Sequence, residues 1–382
     1  MKLSVVSCLI LAVGGAKKAL ATVGSTTPKP GEGSHHLDNL ERLLRDVHLK
    51  HSSGGIHDRL LASDRACGEE IYRIPAAEIS AMLDLFVGEL VQDEAQADQA
   101  ALVLSGVVQY DIAAVKVCAS CSDVTEELVG STEGFSSDSE YGFQTYCADG
   151  VYGADATHSA IAFYPIDPET KKLFAGTLRS FILGHSLEID LSGAPTELLP
   201  VAGVGATVQN PDLPLETKLY IFRNFLPPMI ASAAGAVSTL PDYLGYGESK
   251  DYNRANLMKI PYMQAYTLGF LATRSYLTKA SAGCSYLDGV STLTGFSEGG
   301  YSSIVGALTL EALGVRILSV QSGGGPLNLD LNTGYLIGKK EEEPFLCTIL
   351  YSSFSGRFGL MCNVCSMIQS KFRSSHNSCR RL

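Results

Sequence analysis

The sequence predicts an α/β protein built on a doubly wound, mostly parallel sheet, and three observations carry that expectation. From Met229 to Val320 apolar segments alternate between helical and strand-like patterns, as strands joined by crossover helices require. Between one such strand and one such helix lies a glycine-bounded turn, Gly295-Phe296-Ser297-Glu298-Gly299-Gly300. The composition is globular, with 46% hydrophobic and 18% charged residues among 382, enough for a sizeable core.

Taken in order, Met1-Lys2, the apolar stretch from Leu3 to Gly15 and Ala19-Leu20-Ala21 read as a secretory signal over residues 1–21. The apolar run is shorter than the roughly 20 residues of a spanning helix. The longest later uncharged stretch, Leu226 to Leu240, contains paired prolines and a glycine, so no transmembrane span is expected. Residues 22–66 are rich in Gly, Ser, Pro and His and read as a linker or propeptide with one amphipathic piece. A domain over 67–336 follows, and 337–382 forms an atypical Cys/Ser-rich tail.

Within the domain, Ile71 to Leu104 carries apolar residues at helical spacing, among them Ile79, Met82, Leu83 and Phe86. Val107 to Val117 turns strand-like, and Gly130 to Gly153 reads as loop. His158 to Pro165 and Leu178 to Gly184 are strands flanking the turn-like Asp167-Pro168-Glu169-Thr170. Met229 to Ala234 reads as a helix end, Ala236 to Leu240 as a buried strand, Tyr262 to Leu277 as a helix and Gly289 to Thr294 as a strand. A helix from Tyr301 to Leu313 stops at Gly314, and Ile317 to Val320 is the next strand.

The net charge of -11 argues against nucleic acid, because no basic patch offsets the acidic excess. Ten cysteines fit an oxidising compartment. Cys118-x-x-Cys121 and Cys362-x-x-Cys365 have the spacing of two zinc-ribbon halves, but in an exported chain they read as disulfide partners, so neither a metal nor another cofactor is expected.

The turn at Ser297 matches G-x-S-x-G, in which the glycines allow a turn too tight for side chains and leave the serine hydroxyl exposed above a sheet. Alone the pattern is weak; its place between a strand and a helix gives it weight, against the alternatives of a phosphate-binding turn or a plain loop. A second string, Pro241-Asp242-Tyr243-Leu244-Gly245-Tyr246-Gly247, follows a short apolar strand. As a pair the two strings resemble the secretory lipase family, the lipase A type of yeasts, with its P-D-Y-x-G-x-G and G-x-S-x-G-G motifs, over roughly Leu178 to Leu327.

The resemblance implies an α/β-hydrolase fold and a secreted enzyme acting on carboxylic esters or lipids, with transient contact to a lipid surface. Ser297 falls on the family's nucleophile and Glu298 supplies one oxyanion-hole amide. The second amide would come from Gly184-His185-Ser186, where the family has His-Gly and this chain has Ser186. Ala194-Pro195 also resembles a family loop. His185 reads equally as a buried structural histidine, and Asp242 as a residue that fixes its turn rather than one that moves a proton. A prolyl oligopeptidase-like peptidase or an acyltransferase would use the same elbow. So would a hydrolase-fold protein without activity.

A serine nucleophile needs a histidine and a carboxylate, which in this fold follow the serine in the order acid, then histidine. Downstream of Ser297 the sequence has one aspartate, Asp330, and one histidine, His376. The segment from Ile337 onward, with Lys339-Lys340-Glu341-Glu342-Glu343 and clustered cysteines, lacks strand-helix alternation. It is expected not to be genuine hydrolase sequence but the result of a truncated or misread frame, leaving the sheet incomplete on its C-terminal side. The competing expectation makes Asp330 the acid and His376 the base.

Overall fold

The structure, a computed structural model, describes residues 66–90, 106–124, 139–186, 194–197 and 215–327, with side chains excepted at 84–90 and 215–223. The expected signal (1–21), almost all of the linker (22–66), the tail (337–382), Asp330 and His376 lie outside the described residues.

Among the described residues seven strands form one sheet: β1 (Glu70–Ile74), β2 (Asp111–Ala119), β3 (His158–Ile166), β4 (Gly176–Gly184), β5 (Val237–Pro241), β6 (Ser285–Phe296) and β7 (Arg316–Gly323). Their spatial order is β1-β2-β3-β5-β4-β6-β7. The first three strands and the β3–β5 junction are antiparallel; β5, β4, β6 and β7 run parallel. An antiparallel start, a parallel remainder and exchanged positions of the fourth and fifth strands make an α/β-hydrolase-like, doubly wound fold.

The α-helices among the described residues are α1 (Ala76–Leu90), α2 (Phe143–Cys147), α3 (Leu215–Ala233), α4 (Lys259–Ala280) and α5 (Glu298–Ala312). α1 and α3 cover one face. There Ile79, Met82, Leu83, Phe225, Leu226 and Met229 pack on Ile112, Ala114, Ile161, Phe163, Phe181 and Leu183. The alternate residues of β2 and β3, Val115, Val117, Ala160, Ala162 and Tyr164, point to the other face and pack with Leu268, Ala272 and Leu277 of α4. Burial on both faces explains why these strands read as nearly continuous apolar runs. Farther along that second face, Tyr262, Met263 and Tyr266 of α4 meet Leu293 of β6 and Val305 and Leu310 of α5.

Two expectations need correction. Ile71 to Ile74 is not helical but forms β1, paired antiparallel with β2, and the helix begins only at Ala76. Pro75 separates the two, and an extended residue before proline is the sterically favoured form. Among the described residues of the expected loop from Gly130 to Gly153, Phe143–Cys147 is a short helix. Phe143 and Tyr146 are buried there, and Cys147 is tied to Cys121. Tertiary packing and a cross-link override a loop-like composition. Cys118 pairs with Cys67, so the two cysteines of C-x-x-C belong to different disulfides and neither is a metal ligand.

The end of α5 follows the expected stop signal. Gly314 takes φ 83°, its N–H reaches the Glu311 carbonyl, and the Val315 N–H reaches that of Leu310, both at 2.9 Å. That double bond is the Schellman arrangement. It returns the chain directly into β7.

Candidate active site

β6 ends at Phe296 and α5 begins at Glu298, leaving Ser297 alone in the turn between an interior parallel strand and a helix. Its backbone adopts φ 57° and ψ -123°, a region a side-chain-bearing residue occupies only under strain of about 1–3 kcal/mol. The surroundings impose it: the Ser297 N–H donates to the Gly323 carbonyl of β7 at 2.7 Å, and the Ser297 carbonyl accepts from the Gly300 N–H at 2.9 Å. Strain held in this way presents a side chain outward, and Ser297 is partly exposed between the buried Gly295 and Glu298.

The bracketing glycines are required by close approach. A Cβ on Gly299 would lie 2.6 Å from the Gly184 carbonyl carbon and 2.7 Å from the His185 oxygen. One on Gly295 would strike the Gly299 carbonyl, also backbone. The elbow therefore sits directly against the end of β4, with Gly184 in register with Gly295.

That contact brings the His185-Ser186 loop to Ser297's side of the sheet. The Ser186 hydroxyl donates to the carbonyl of Phe296, the residue before the serine, at 3.2 Å. Tyr243, from the turn after β5, donates to the His185 carbonyl at 3.1 Å and lies 2.6 Å from the Ser302 hydroxyl of α5. Tyr266 of α4 joins Ser302 and Ser303 at 3.0 and 3.2 Å, and Ser303 donates to Thr294 of β6. This buried network ties strand ends and the first turns of α5 into one unit. The His185 ring stacks on Tyr243 with centroids 3.9 Å apart, and its Nδ1 meets the Ser186 carbonyl at 2.8 Å.

Asp242 points elsewhere. Its carboxylate accepts from the Ser159 hydroxyl of β3 at 2.5 Å, from the Thr196 hydroxyl, and from the Thr196 N–H at 3.3 Å. Burial pushes its pKa up to about 6, with the hydroxyls of Ser159 and Thr196 and the charge of Lys116 opposing the shift. Lys116, itself buried, pairs with Glu248 at 2.6 Å. Asp242 thus fixes two loops, its own and the Ala194-Pro195-Thr196 segment after β4. Gly247 adopts φ 53° beside it, where a Cβ would meet the side chains of Asp242, Ser159 and Thr196.

Sequence reasoning passed over the Glu298 side chain. It is 3% exposed beside Ser297 and accepts a hydrogen bond from the Tyr262 hydroxyl of α4. Burial pushes its carboxyl up to about 7, opposed by Tyr262, the nearby Leu257 N–H and the Arg254 charge. Its position just after the turn serine, on the inner side of a helix start, was the available signal.

No known family profile matches the chain, and no curated protein sequence matches it. Among solved structures, the rice cell wall degrading esterase LipA from Xanthomonas oryzae aligns at 19% identity and a TM-score of 0.41, covering 67% of this chain and 48% of LipA. Lipase A from Candida antarctica aligns at 12% identity and a TM-score of 0.34, covering 71% of this chain and 45% of the lipase. The chain spans about half the length of the solved structures it matches.

Proposed function

We propose that this protein is a secreted serine hydrolase of carboxylic esters, small-molecule or lipid, acting through an acyl-enzyme on Ser297. The observation that carries the reading is the strained turn at Ser297, φ 57° and ψ -123°, between an interior parallel strand and a fifteen-residue helix. Such a turn exposes a hydroxyl at the positive end of a helix, where an attacking oxygen and the oxyanion it creates are both favoured.

In this reading the Ser297 oxygen attacks the ester carbonyl as its proton passes to a general base, the role His376 would fill beside Asp330. The base then returns the proton to the departing alcohol. The tetrahedral oxyanion is held by two backbone N–H groups. The Glu298 amide is one: as the first residue of α5 it has no acceptor within its own helix. The Ser186 amide is the other, supported by the anchoring of its side chain on Phe296. Collapse expels the alcohol, and water releases the acid. Phe296, 40% exposed beside the serine, offers an apolar contact to the acyl chain. Two disulfides fit an extracellular setting. Among the described residues no helix is long and apolar enough to cross a membrane.

The test is turnover of p-nitrophenyl butyrate by the full chain. Activity is expected to fall by several orders of magnitude in Ser297→Ala, because the covalent step is removed. Retained turnover in that variant would refute the assignment. A wild type without turnover would leave a hydrolase-fold binding protein as the reading.

A further inference from the structure

The Glu298 backbone enters the proposed hydrolytic step through its amide, but its side chain has a separate place in the fold. The carboxyl leaves α5 on the inner side and meets Tyr262 near the start of α4. Tyr262 in turn accepts the Leu257 N–H at 2.5 Å. Leu257 is itself held at φ 60°, one of four described non-glycine residues with positive φ; Ser297 is another. A single buried chain of bonds therefore links two strained backbone positions, the loop before α4 and the elbow.

We propose that the Glu298 side chain is a positioning residue for the hydrolytic site, holding the first turn of α5, and with it the Glu298 amide, against Leu257 through Tyr262. The inference rests on the hydrolase reading only for its catalytic consequence.

The chemistry favours the neutral acid in this role. The Glu298 carboxyl is buried among Tyr262 and Tyr266 of α4, Tyr243 of the turn after β5, and Arg254 of the following loop, whose guanidinium is the one cation acting on it among the described residues. Tyr301 on its own helix stands edge-on to Tyr262 at 5.8 Å. Its Oε2 makes no hydrogen bond among the described residues, so a full charge there would be poorly solvated. It would also place a negative charge one residue from an oxyanion. The neutral form keeps the Tyr262 bond and removes that repulsion. With burial raising the carboxyl to about 7, both forms are accessible near neutrality.

Two readouts on the full chain test this: hydrogen exchange of the peptide 296–303, which needs no catalysis, and the rate of fluorophosphonate labelling of Ser297 against pH. Glu298→Ala and Tyr262→Phe are each expected to speed exchange of that peptide at least about tenfold and to slow labelling by a similar factor. Glu298→Gln, which still accepts from Tyr262, is expected to recover protection. It is also expected to lack the fall in labelling expected of the wild type above about pH 7, to which burial raises the Glu298 carboxyl. Unaltered exchange in Glu298→Ala, or a fall above neutrality that persists in Glu298→Gln, would overturn the proposal. A wild type that never labels counts against the hydrolase reading alone, and the exchange arm then decides the positioning role.

Discussion

Gly299→Ala probes the contact on which the whole site depends. The added methyl would sit 2.6 Å from the Gly184 carbonyl carbon and 2.7 Å from the His185 oxygen. Ordinary contact between such atoms is about 3.5 Å or more, so α5 and the end of β4 must part by roughly 1 Å. Both neighbours are backbone, one locked into the sheet by its pairing with β6, so no side chain can swing away. Overpacking of this kind costs about 3 kcal/mol, the upper part of the usual range. That is more than a hundredfold in the folding equilibrium and a fall in melting temperature of about 6–12 °C for a domain of this size. Gly283→Ala is the control: nothing lies within 4 Å of its added methyl, and only its φ of 80° is unfavourable, for about 1–2 kcal/mol. Thermal unfolding followed by circular dichroism gives both values. A Gly299→Ala protein that melts no lower than Gly283→Ala would refute the close approach of the elbow to the His185-Ser186 loop.

Other outcomes follow from the same geometry. Ser297→Gly should melt higher than Ser297→Ala, because glycine accepts φ 57° and ψ -123° and relieves about 1–3 kcal/mol of strain; equal melting temperatures would show the turn to be unstrained. Asp242→Ala leaves the Ser159 and Thr196 hydroxyls without their buried acceptor and should lose about 1–3 kcal/mol, read by urea unfolding. Asp242 also has a pH signature. Its folded pKa of about 6 lies above the ordinary 3.8, so the native state keeps the proton longer than the unfolded chain does. Its contribution to stability is therefore largest below about pH 4, falls by about 3 kcal/mol as pH rises to about 6, and is level above that. Asp242→Asn should remove that component, and an unchanged pH dependence in the variant would contradict the burial of this carboxyl.

The fold was legible because its strands and helices carry unmixed patterns. The Gly314 stop, the apolar run of β5 and the glycines set between a strand and a helix at Ser297 each mark an element boundary that the structure has. Boundaries failed where local composition and tertiary packing disagree. Ile71 to Ile74 fits a helical period until Pro75 breaks it, and Phe143–Cys147 is helical because the Cys121 bridge and the buried Tyr146 hold it against α4. The serine turn could be read from its glycine spacing together with its place between a strand and a helix. The residues that brace the loops around it could not: Tyr262 and Tyr266 of α4, Thr196 after β4 and Ser159 of β3 come from three separate segments, and no sequence period relates one segment to another. Asp242 was assigned to its own turn, but its reach to Thr196 after β4 became visible only with the loops in place.

Reaction of the full chain with a fluorophosphonate, read by intact mass and by mapping of the modified peptide, addresses the central claim most directly. An activated serine at this turn predicts one adduct per chain, on Ser297, absent from Ser297→Ala and from protein unfolded before exposure. No adduct on the folded wild type, or an adduct on another residue, would contradict it.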